Sequence, residues 1–260
     1  MSTNRDLDVE REMHRKSRRS FLMLGISATA GFAGWTWLTT RPEVGGLPYP
    51  LRRALELNEK LAERYFKEAR LAPTFPREMA REPRVNGAEG LPSAFDPLAW
   101  RLHVLGRGEP RQLTLEDIKR LPRVEMTTEL KCIEGWSVIV NWAGSRLSDF
   151  AAEYHSGTGD GTPPDVRHRP RDLGRYVGLE TPDGGYYVAM DMPSALHPQT
   201  LLCYEMNGEP LSIEHGAPLR LITTVKYGIK SIKRIGRITF TDERPPDFWA
   251  ERGYDWYAGH

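Results

Sequence analysis

Residues 128–137 read Thr-Glu-Leu-Lys-Cys-Ile-Glu-Gly-Trp-Ser and contain Cys132, the first of the two cysteines of this 260-residue chain. Lys131 would lower the pKa of the Cys132 thiol if its ammonium lay near the sulfur. Gly135 would let the backbone or a ligand approach closely. Both features are typical of a thiolate that acts as a metal ligand or as a nucleophile. Because a free cysteine is most often an inert core residue, the segment leaves both roles open.

The second cysteine, Cys203, lies in the apolar sequence Leu-Leu-Cys-Tyr, residues 201–204. This pattern predicts a thiol that packs in the core. Two cysteines are too few for a disulfide-stapled scaffold or a zinc knuckle. A disulfide between Cys132 and Cys203 is compatible with an oxidising compartment, and it would remove Cys132 from any chemistry.

A basic stretch without any acid runs from Gly216 to Phe240. Its six cations are interleaved with Val, Leu and Ile, and they are Arg220, Lys226, Lys230, Lys233, Arg234 and Arg237. Unpaired cations held close to a folded surface repel one another, and an anionic ligand such as a phosphate relieves that cost through charge-assisted hydrogen bonds. The stretch therefore predicts a phosphate site rather than a solvated face.

The whole chain carries 36 Lys and Arg against 35 Asp and Glu, a formal net charge of +1. This balance produces no overall field that would attract nucleic acid or a membrane surface, so we expect no nucleic-acid partner, and any basic site must be local. The sequence has no His-x-His, His-Glu-x-x-His or Cys-x-x-Cys pattern, which disfavours a zinc site built from protein ligands alone. A lone histidine such as His215 is more often a hydrogen-bonded structural residue than a metal ligand.

The amino-terminal residues 1–40 are predicted to be a signal or a membrane anchor. Residues 17–22, Ser-Arg-Arg-Ser-Phe-Leu, resemble the twin-arginine export signal, so we expect export by the twin-arginine translocase to the periplasm. Residues 21–38 are free of charge and just long enough to span a bilayer. Cleavage after Ala28-Thr29-Ala30 and retention as an uncleaved anchor both remain open.

Residues 41–82 are predicted to form a linker and a helical segment, with a helix from Leu51 to Arg70. The main folded domain is predicted to comprise residues 83–260. Proline and glycine between 74 and 93 predict an irregular segment. One short helix is expected at 113–121. Strand patterns occur at 100–104, 138–140, 186–190, 201–206, 219–225 and 235–241.

Five motifs resemble, in this order along the chain, those of the sulfite-oxidase-fold molybdopterin enzymes. They are residues 128–137, 176–181, 197–201, 215–221 and 226–233. Segments 243–246 and 254–257 extend the resemblance, which covers roughly residues 83 to 260. Among these enzymes the motifs are most similar to those of the exported catalytic subunits of bacterial methionine-sulfoxide reductases. The resemblance implies an α+β domain with a mixed β core and a two-electron oxygen-atom transfer on a sulfoxide or an oxyanion such as sulfite.

The resemblance also implies a role for individual residues around one molybdenum–molybdopterin cofactor per chain. Cys132 would bind the molybdenum as a thiolate. The pterin and its phosphate would be held by Thr181, His215, Arg220, Ser231, Ile232 and Lys233. Asn86 and Gly87 would occupy the place of an upstream cofactor-contacting segment, although the motif of the reductases differs there.

The redox partner is expected to be a separate protein. The sequence carries no c-type haem motif, and no carboxy-terminal dimerisation domain of the sulfite-oxidase kind follows the matched motifs. The family therefore implies electron exchange with a membrane partner of the cytochrome b type. The helical segment at 51–70 has no clear counterpart in the reductases.

Two other functions remain open from sequence. A non-catalytic, membrane-anchored module would use the same basic pocket to bind an anionic ligand or partner, and it would contain no molybdenum. A cysteine-nucleophile hydrolase would need a histidine paired with Cys132, and the sequence contexts of His103, His155 and His197 do not place any of them there.

Overall fold

The structure is a computed structural model that describes residues 3–87, 89–91, 95–154 and 165–260, so His155 lies outside the described residues. The chain divides into two compact units, unit 1 up to Ala54 and unit 2 from Leu55 to His260. The domain bounds at 40 and 82 stay predictions.

The helices are α1 Thr3–Thr39, α2 Tyr49–Tyr65, α3 Leu115–Lys119, α4 Leu147–Tyr154 and α5 Met192–Ala195. The strands are β1 Glu43–Val44, β2 Leu47–Pro48, β3 Leu102–Leu105, β4 Arg111–Leu113, β5 Arg123–Lys131, β6 Ser137–Arg146, β7 Tyr176–Glu180, β8 Tyr187–Asp191, β9 Thr200–Met206, β10 Glu209–Pro210, β11 Arg220–Thr223 and β12 Arg237–Thr241.

Unit 1 is dominated by α1. The part from Met13 to Thr39 is long and apolar enough to cross a membrane, and none of its most apolar window is buried. The hydroxyls of Thr29 and Thr36 donate to the carbonyl oxygens four residues earlier, at 2.9 Å each. These hydroxyls are thus satisfied within the helix, as an apolar environment requires. A signal sequence has the same composition, so both predicted fates of the segment remain open.

Unit 2 contains two five-stranded sheets among its described residues. The first has the order β10-β9-β6-β5, with β11 also paired to β9, and all of its pairs are antiparallel. The second has the order β4-β3-β12-β7-β8, in which β12 runs parallel to β3. The core lies where the two sheets and α4 pack together, and Leu102, Val177, Phe150 and Leu202 belong to it. The class is therefore α+β with a mixed β core, as expected.

The structure changes two local predictions. The predicted strand at 138–140 is the middle of the ten-residue β6, and its partner β5 was not predicted because charged residues interrupt its apolar ones. The predicted helix at 51–70 ends at Tyr65. Beyond that point Phe66 packs its ring against His197, with centroids 6.0 Å apart, and Ala72 bonds to the Gln199 side chain. Tertiary contacts thus end the helix before its periodic pattern ends.

The described part of the segment predicted to be irregular, residues 74–87 and 89–91, contains the short 3-10 helix Arg77–Met79 and runs beside the first sheet. The backbone N–H of Phe75 donates to the Thr127 carbonyl at 2.9 Å, and that of Arg81 donates to the Ile139 carbonyl at 2.8 Å. Its backbone is therefore fixed along the β5–β6 hairpin, and the next residues, up to Gly87, are brought beside the tip of that hairpin.

Candidate active site

Cys132 lies at the tip of the longest hairpin of unit 2. Strands β5 and β6 pair without interruption from Arg123 opposite Ser145 to Lys131 opposite Ser137. The chain then reverses, and the N–H of Cys132 donates to the Trp136 carbonyl at 2.9 Å. Gly135 has a φ of +87°, a backbone conformation that favours glycine. The paired strands and this turn hold the cysteine at a defined position.

The hairpin tip forms one wall of a cleft of about 270 Å³. The opposite wall is the turn Gly228–Lys230 with the residues that follow it. The third wall is formed by Pro83, Arg84, Asn86, Gly87 and Glu89. The side chains that line the cleft include Arg84, Asn86, Cys132, Ile133, Glu134, Trp136, Tyr186, Arg220, Ser231, Lys233, Trp249 and Tyr254. Cys132 is 9% exposed and faces this cleft.

The cations of the basic stretch are divided between this cleft, the interior and the surface. Lys226 pairs with Asp191 at 3.1 Å and Lys230 with Asp247 at 2.5 Å. Arg237 pairs with a glutamate of β7 at 2.9 Å. The expectation that the cations are unpaired is therefore wrong for these three, because their partners come from β7, β8 and the carboxy-terminal segment, outside the stretch.

Arg220 and Lys233 are the two cations of the stretch that line the cleft. The Arg220 guanidinium donates to the carbonyls of His215 at 3.1 Å and Ser231 at 3.4 Å. Burial lowers the pKa of Arg220 to about 10. Lys233 donates to the Asn86 carbonyl at 2.9 Å, and burial, followed by the charge of Arg220, lowers the pKa of Lys233 to about 8. The two cations are thus close enough for the charge of Arg220 to lower the pKa of Lys233, although Glu89 and Glu214 act in the opposite direction.

Several buried polar atoms at this wall have no hydrogen-bond partner among the described residues. They are Nε of Arg220, Oγ of Ser231 and both ring nitrogens of His215. Glu82 lies 3.7 Å from the His215 ring, and burial lowers the pKa of His215, so the ring is held neutral near pH 7. Leaving a buried polar atom unpaired costs about 1–3 kcal/mol. An anion with several oxygen atoms satisfies such a group of donors.

Asn86 connects the cysteine to the basic wall. Its Nδ2 lies 3.9 Å from the Cys132 sulfur and donates to Glu134 at 3.3 Å. Glu134 also accepts from the Trp136 indole at 2.9 Å. Gly87 follows with a φ of +71°, and a side chain there would meet the carboxylate of Glu89. Asn86 and Gly87 thus lie in the cleft, and their contact with a cofactor stays a prediction.

The sequence predicts a lowered pKa for the Cys132 thiol if the Lys131 ammonium lies near the sulfur, and the structure does not meet this condition. Lys131 extends toward Glu129, with 3.9 Å between the charged atoms. Burial, followed by the charge of Glu134, raises the pKa of the Cys132 thiol. The thiol therefore retains its proton at neutral pH unless a metal displaces it.

Three of the predicted residues, Thr181, His215 and Ile232, lie outside the cleft lining, although the His215 carbonyl accepts from Arg220. The buried hydroxyl of Thr181 donates to Asp183 at 2.6 Å, beside a separate hollow of about 680 Å³. The Ile232 side chain packs in the core, and its carbonyl accepts from the Leu221 N–H at 2.9 Å. The cofactor roles of Thr181 and Ile232 stay predictions.

The sequence reasoning did not select the aromatic residues of the cleft. Trp136 and Tyr254 stand inside the quoted motifs, which is a signal that could have found them. Tyr186 donates to the Ile229 carbonyl at 2.6 Å and so joins the cleft wall to β8. Trp249 had no signal in the sequence. The predicted core position of Cys203 is confirmed, and both cysteines are free.

Comparison with known proteins identifies the cofactor class. The family described as "Oxidoreductase molybdopterin binding domain" matches residues 88–249. The chain belongs to this family. It is thus an oxidoreductase with a molybdopterin cofactor, as the motifs predicted. The crystal structure of the sulfane dehydrogenase SoxCD from Paracoccus pantotrophus matches with a TM-score of 0.50 and 22% identity over 68% of this chain and 46% of that chain. This match confirms the sulfite-oxidase-type fold.

Relatives with related names cover different parts of the chain. The "Putative protein-methionine-sulfoxide reductase subunit YedZ1" of Azospira oryzae is 29% identical over 97% of this chain and 91% of its own length. The protein-methionine-sulfoxide reductase catalytic subunit MsrP of Campylobacter jejuni is 34% identical over 66% of this chain and 60% of its own length. The MsrP of Ralstonia nicotianae is 31% identical over 62% of this chain and 50% of its own length. The match thus spans only half to three fifths of these catalytic subunits.

The residues of the cleft fit the family's cofactor. Soft sulfur is a suitable ligand for a redox metal, and Cys132 faces the cleft. A phosphate suits Arg220, Lys233 and the unpaired atoms of Ser231 and His215. Among the described residues no group of three His, Cys, Asp or Glu side chains is placed to hold a metal ion. A metal bound here would therefore take most of its ligands from the cofactor.

Proposed function

We propose that the protein is an exported, membrane-tethered molybdenum enzyme that reduces a sulfoxide by two-electron oxygen-atom transfer. The observation that carries this proposal is the cleft in which Cys132 faces two cations and a set of unpaired buried donors. The names of the relatives support a sulfoxide as substrate. The apolar and aromatic side chains Ile133, Trp136 and Tyr254 in the lining also favour an uncharged sulfoxide over an oxyanion.

Each residue of the cleft has a defined part in this proposal. The bound cofactor supplies two-electron redox chemistry at molybdenum. Cys132 binds the metal as a thiolate, and the Asn86 amide donates a weak hydrogen bond to its sulfur. Arg220, Ser231 and Lys233 bind the phosphate, and the neutral His215 offers a further hydrogen bond. Thr181 and the Ile232 backbone would contact the pterin, an assignment that rests on the resemblance of their motifs and not on the cleft lining.

The residues near the cysteine prepare the place of the substrate. Glu134 is fixed by the Trp136 indole and by Asn86, so its carboxylate stays beside the sulfur. Trp136, Trp249 and Tyr254 restrict access of water to the cleft and offer flat apolar surfaces to the organic part of a sulfoxide. The position of a reacting sulfoxide is thus determined by side chains from the hairpin tip and from the carboxy-terminal segment.

The amino-terminal segment determines where the enzyme works. The twin-arginine sequence supports export, and the apolar helix Met13–Thr39 supports a tether in the inner membrane with the cleft on the periplasmic side. Electrons come from a second protein, for which a membrane cytochrome of the b type is the proposed partner. The name of the Azospira relative, a reductase subunit, supports an assembly of more than one chain.

The deciding experiment measures metal and activity in the same preparation. The full chain is produced in a host that makes the cofactor, and molybdenum is measured by elemental analysis. About one metal atom per chain, with reduction of a sulfoxide by a viologen dye, supports the proposal. Oxidation of sulfite without reduction of a sulfoxide would instead identify an oxyanion as the substrate. Protein without molybdenum would support the non-catalytic binding module.

A further inference from the structure

The part of helix α2 that belongs to unit 2, from Leu55 to Tyr65, has one face that packs against other residues of that unit. Glu59 accepts from Arg244 at 2.8 Å, and Ala62 packs with Trp256 and Tyr257. Because these contacts fix the rotation of α2 about its axis, the opposite face is presented to the surroundings in a defined way.

That opposite face carries a row of large apolar side chains. Leu57, Leu61 and Tyr65 are spaced four residues apart and therefore lie on the same side of the helix. They are 58%, 43% and 71% exposed, respectively. We name them the α2 stripe. A single exposed leucine is ordinary, but a contiguous apolar row on a helix indicates a surface that is covered by something.

Charge is segregated around the α2 stripe. At about 100° per residue, Lys60 and Arg64 lie within roughly 60° of Leu57, whereas Glu59 and Glu63 lie at least roughly 120° away. Both cations are exposed, and in the part of unit 2 that the structure describes neither is in an ion pair. The stripe is thus bordered by positive charge on one side, while Glu59 is paired with Arg244 on the packed face and Glu63 is exposed well away from the stripe.

We propose that the α2 stripe lies on an anionic lipid bilayer, with Leu57, Leu61 and Tyr65 in the headgroup boundary and Lys60 and Arg64 at lipid phosphates. An exposed apolar row beside cations is the pattern of helices that lie in a membrane interface. The inference rests on the membrane tether of the proposed function. Only residues 40–48 join α1 to α2, and such a length of chain extends at most about 30 Å. The second contact restricts the orientations of the catalytic unit at the membrane.

The first test identifies what touches the stripe. A photo-crosslinking amino acid replaces Leu61 in the full chain, and membranes of the producing cells are irradiated. A matched control carries it at Leu98, which is 88% exposed and lies outside α2. We expect an adduct of lipid mass at Leu61 and at least a several-fold lower yield at Leu98. A protein adduct at Leu61, no adduct, or equal lipid yields at both positions would overturn the proposal.

The second test measures the contribution of charge. The Leu61-labelled chain is reconstituted in nanodiscs of phosphatidylcholine alone or with phosphatidylglycerol. The double variant Lys60→Glu/Arg64→Glu should lower the lipid adduct yield in anionic discs by at least about fivefold, the effect of losing one cation near such a surface. Arg111→Glu/Arg167→Glu, with the same change of charge on exposed positions outside α2, should leave it unchanged. Equal yields for both double variants would contradict the proposal.

Failure of the tether is recognised separately. Alkaline extraction of the same membranes shows whether the chain is retained by α1. Release into the supernatant would refute the tether and with it this inference, while molybdenum content still tests the cofactor assignment. Retention without a lipid adduct would refute only the α2 contact.

Discussion

The cleft beside Cys132 and the packed interior of unit 2 contain the same residue types in opposite situations. Cys132 faces an opening, whereas Cys203 is 0% exposed in β9, and burial raises the pKa of its thiol to about 12. Lys233 lines the cleft, whereas Lys230, three residues earlier, is buried against Asp247. Residue type and local charge are therefore poor indicators of function, because the partner that each side chain meets decides its role.

The largest difference is expected between the two cysteines. Cys132→Ser should lower activity by orders of magnitude and change the molybdenum spectrum, because oxygen replaces the soft protein ligand. Cys203→Ser should keep metal and activity but lower the free energy of unfolding by about 1–3 kcal/mol, since a hydroxyl is then buried without a designed partner. Elemental analysis, Mo(V) electron paramagnetic resonance and urea unfolding measure the three effects.

Cys203→Ala removes the sulfur without introducing a hydroxyl, so it separates the cost of the buried hydroxyl from the cost of losing the sulfur. It should also keep full metal content. Full activity and an unchanged metal spectrum in Cys132→Ser would end the assignment of Cys132 as the molybdenum ligand.

The next largest effect is expected at the buried pair behind the cleft. Lys230 also donates to the Ala189 carbonyl at 2.9 Å, and Asp247 accepts from the Ala189 N–H at 3.1 Å. Lys230→Met should destabilise the protein by about 3–5 kcal/mol, because it leaves a buried carboxylate unpaired. Urea unfolding measures this, and Lys230→Met/Asp247→Leu should recover part of the loss. A double variant no more stable than the single one would contradict the explanation.

The sequence predicted the cofactor class correctly because that class is indicated by local motifs, whereas the role of Cys132 as metal ligand stays a prediction. Residues 128–137 and 226–233 are contiguous segments whose spacing is set along the chain. The partners of Lys226, Lys230 and Arg237 were not predictable in this way, since Asp191, Asp247 and Glu180 are brought to them by the pairing of strands and by the carboxy-terminal segment. An acid-free stretch in sequence is therefore not an acid-free surface in space.

Contacts between residues far apart in the sequence also explain why the end of α2 and the cleft lining differ from the predictions. The periodicity of 51–70 predicts α2, but its end at Tyr65 depends on Phe66 meeting His197. Thr181 was assigned by its motif, yet it lies beside a second hollow, and Trp249, which no motif indicated, lines the cleft. The contacts that decide these positions join residues far apart in the sequence.

A smaller effect distinguishes cleft cations from paired surface cations. Arg220→Lys should weaken retention of the cofactor, because a lysine lacks the guanidinium fork that also holds the carbonyls of His215 and Ser231. Loss of one charge-assisted hydrogen bond of about 1.5–3 kcal/mol corresponds to roughly a 10- to 150-fold change in affinity. Arg237→Lys, whose ion pair with Glu180 is half exposed, should change it little. Molybdenum content after dialysis compares the two, and equal losses would refute the distinction.

The smallest expected effect is a pH dependence of the cofactor-free protein. In its folded state the pKa of Lys233 is lowered to about 8 by burial and by Arg220, and burial lowers that of Lys226 to about 8 despite its pairing with Asp191. Between that pH and the ordinary lysine value near 10.4, the unfolded chain binds more protons than the folded chain. The free energy of unfolding should therefore rise with pH across this window. In Lys233→Met the rise should be smaller, whereas the exposed control Lys119→Met should follow the unsubstituted protein. Urea unfolding at several pH values measures the slope of the unfolding free energy against pH. Identical slopes for Lys233→Met and the unsubstituted protein would mean that the buried Lys233 cation does not destabilise the cofactor-free protein.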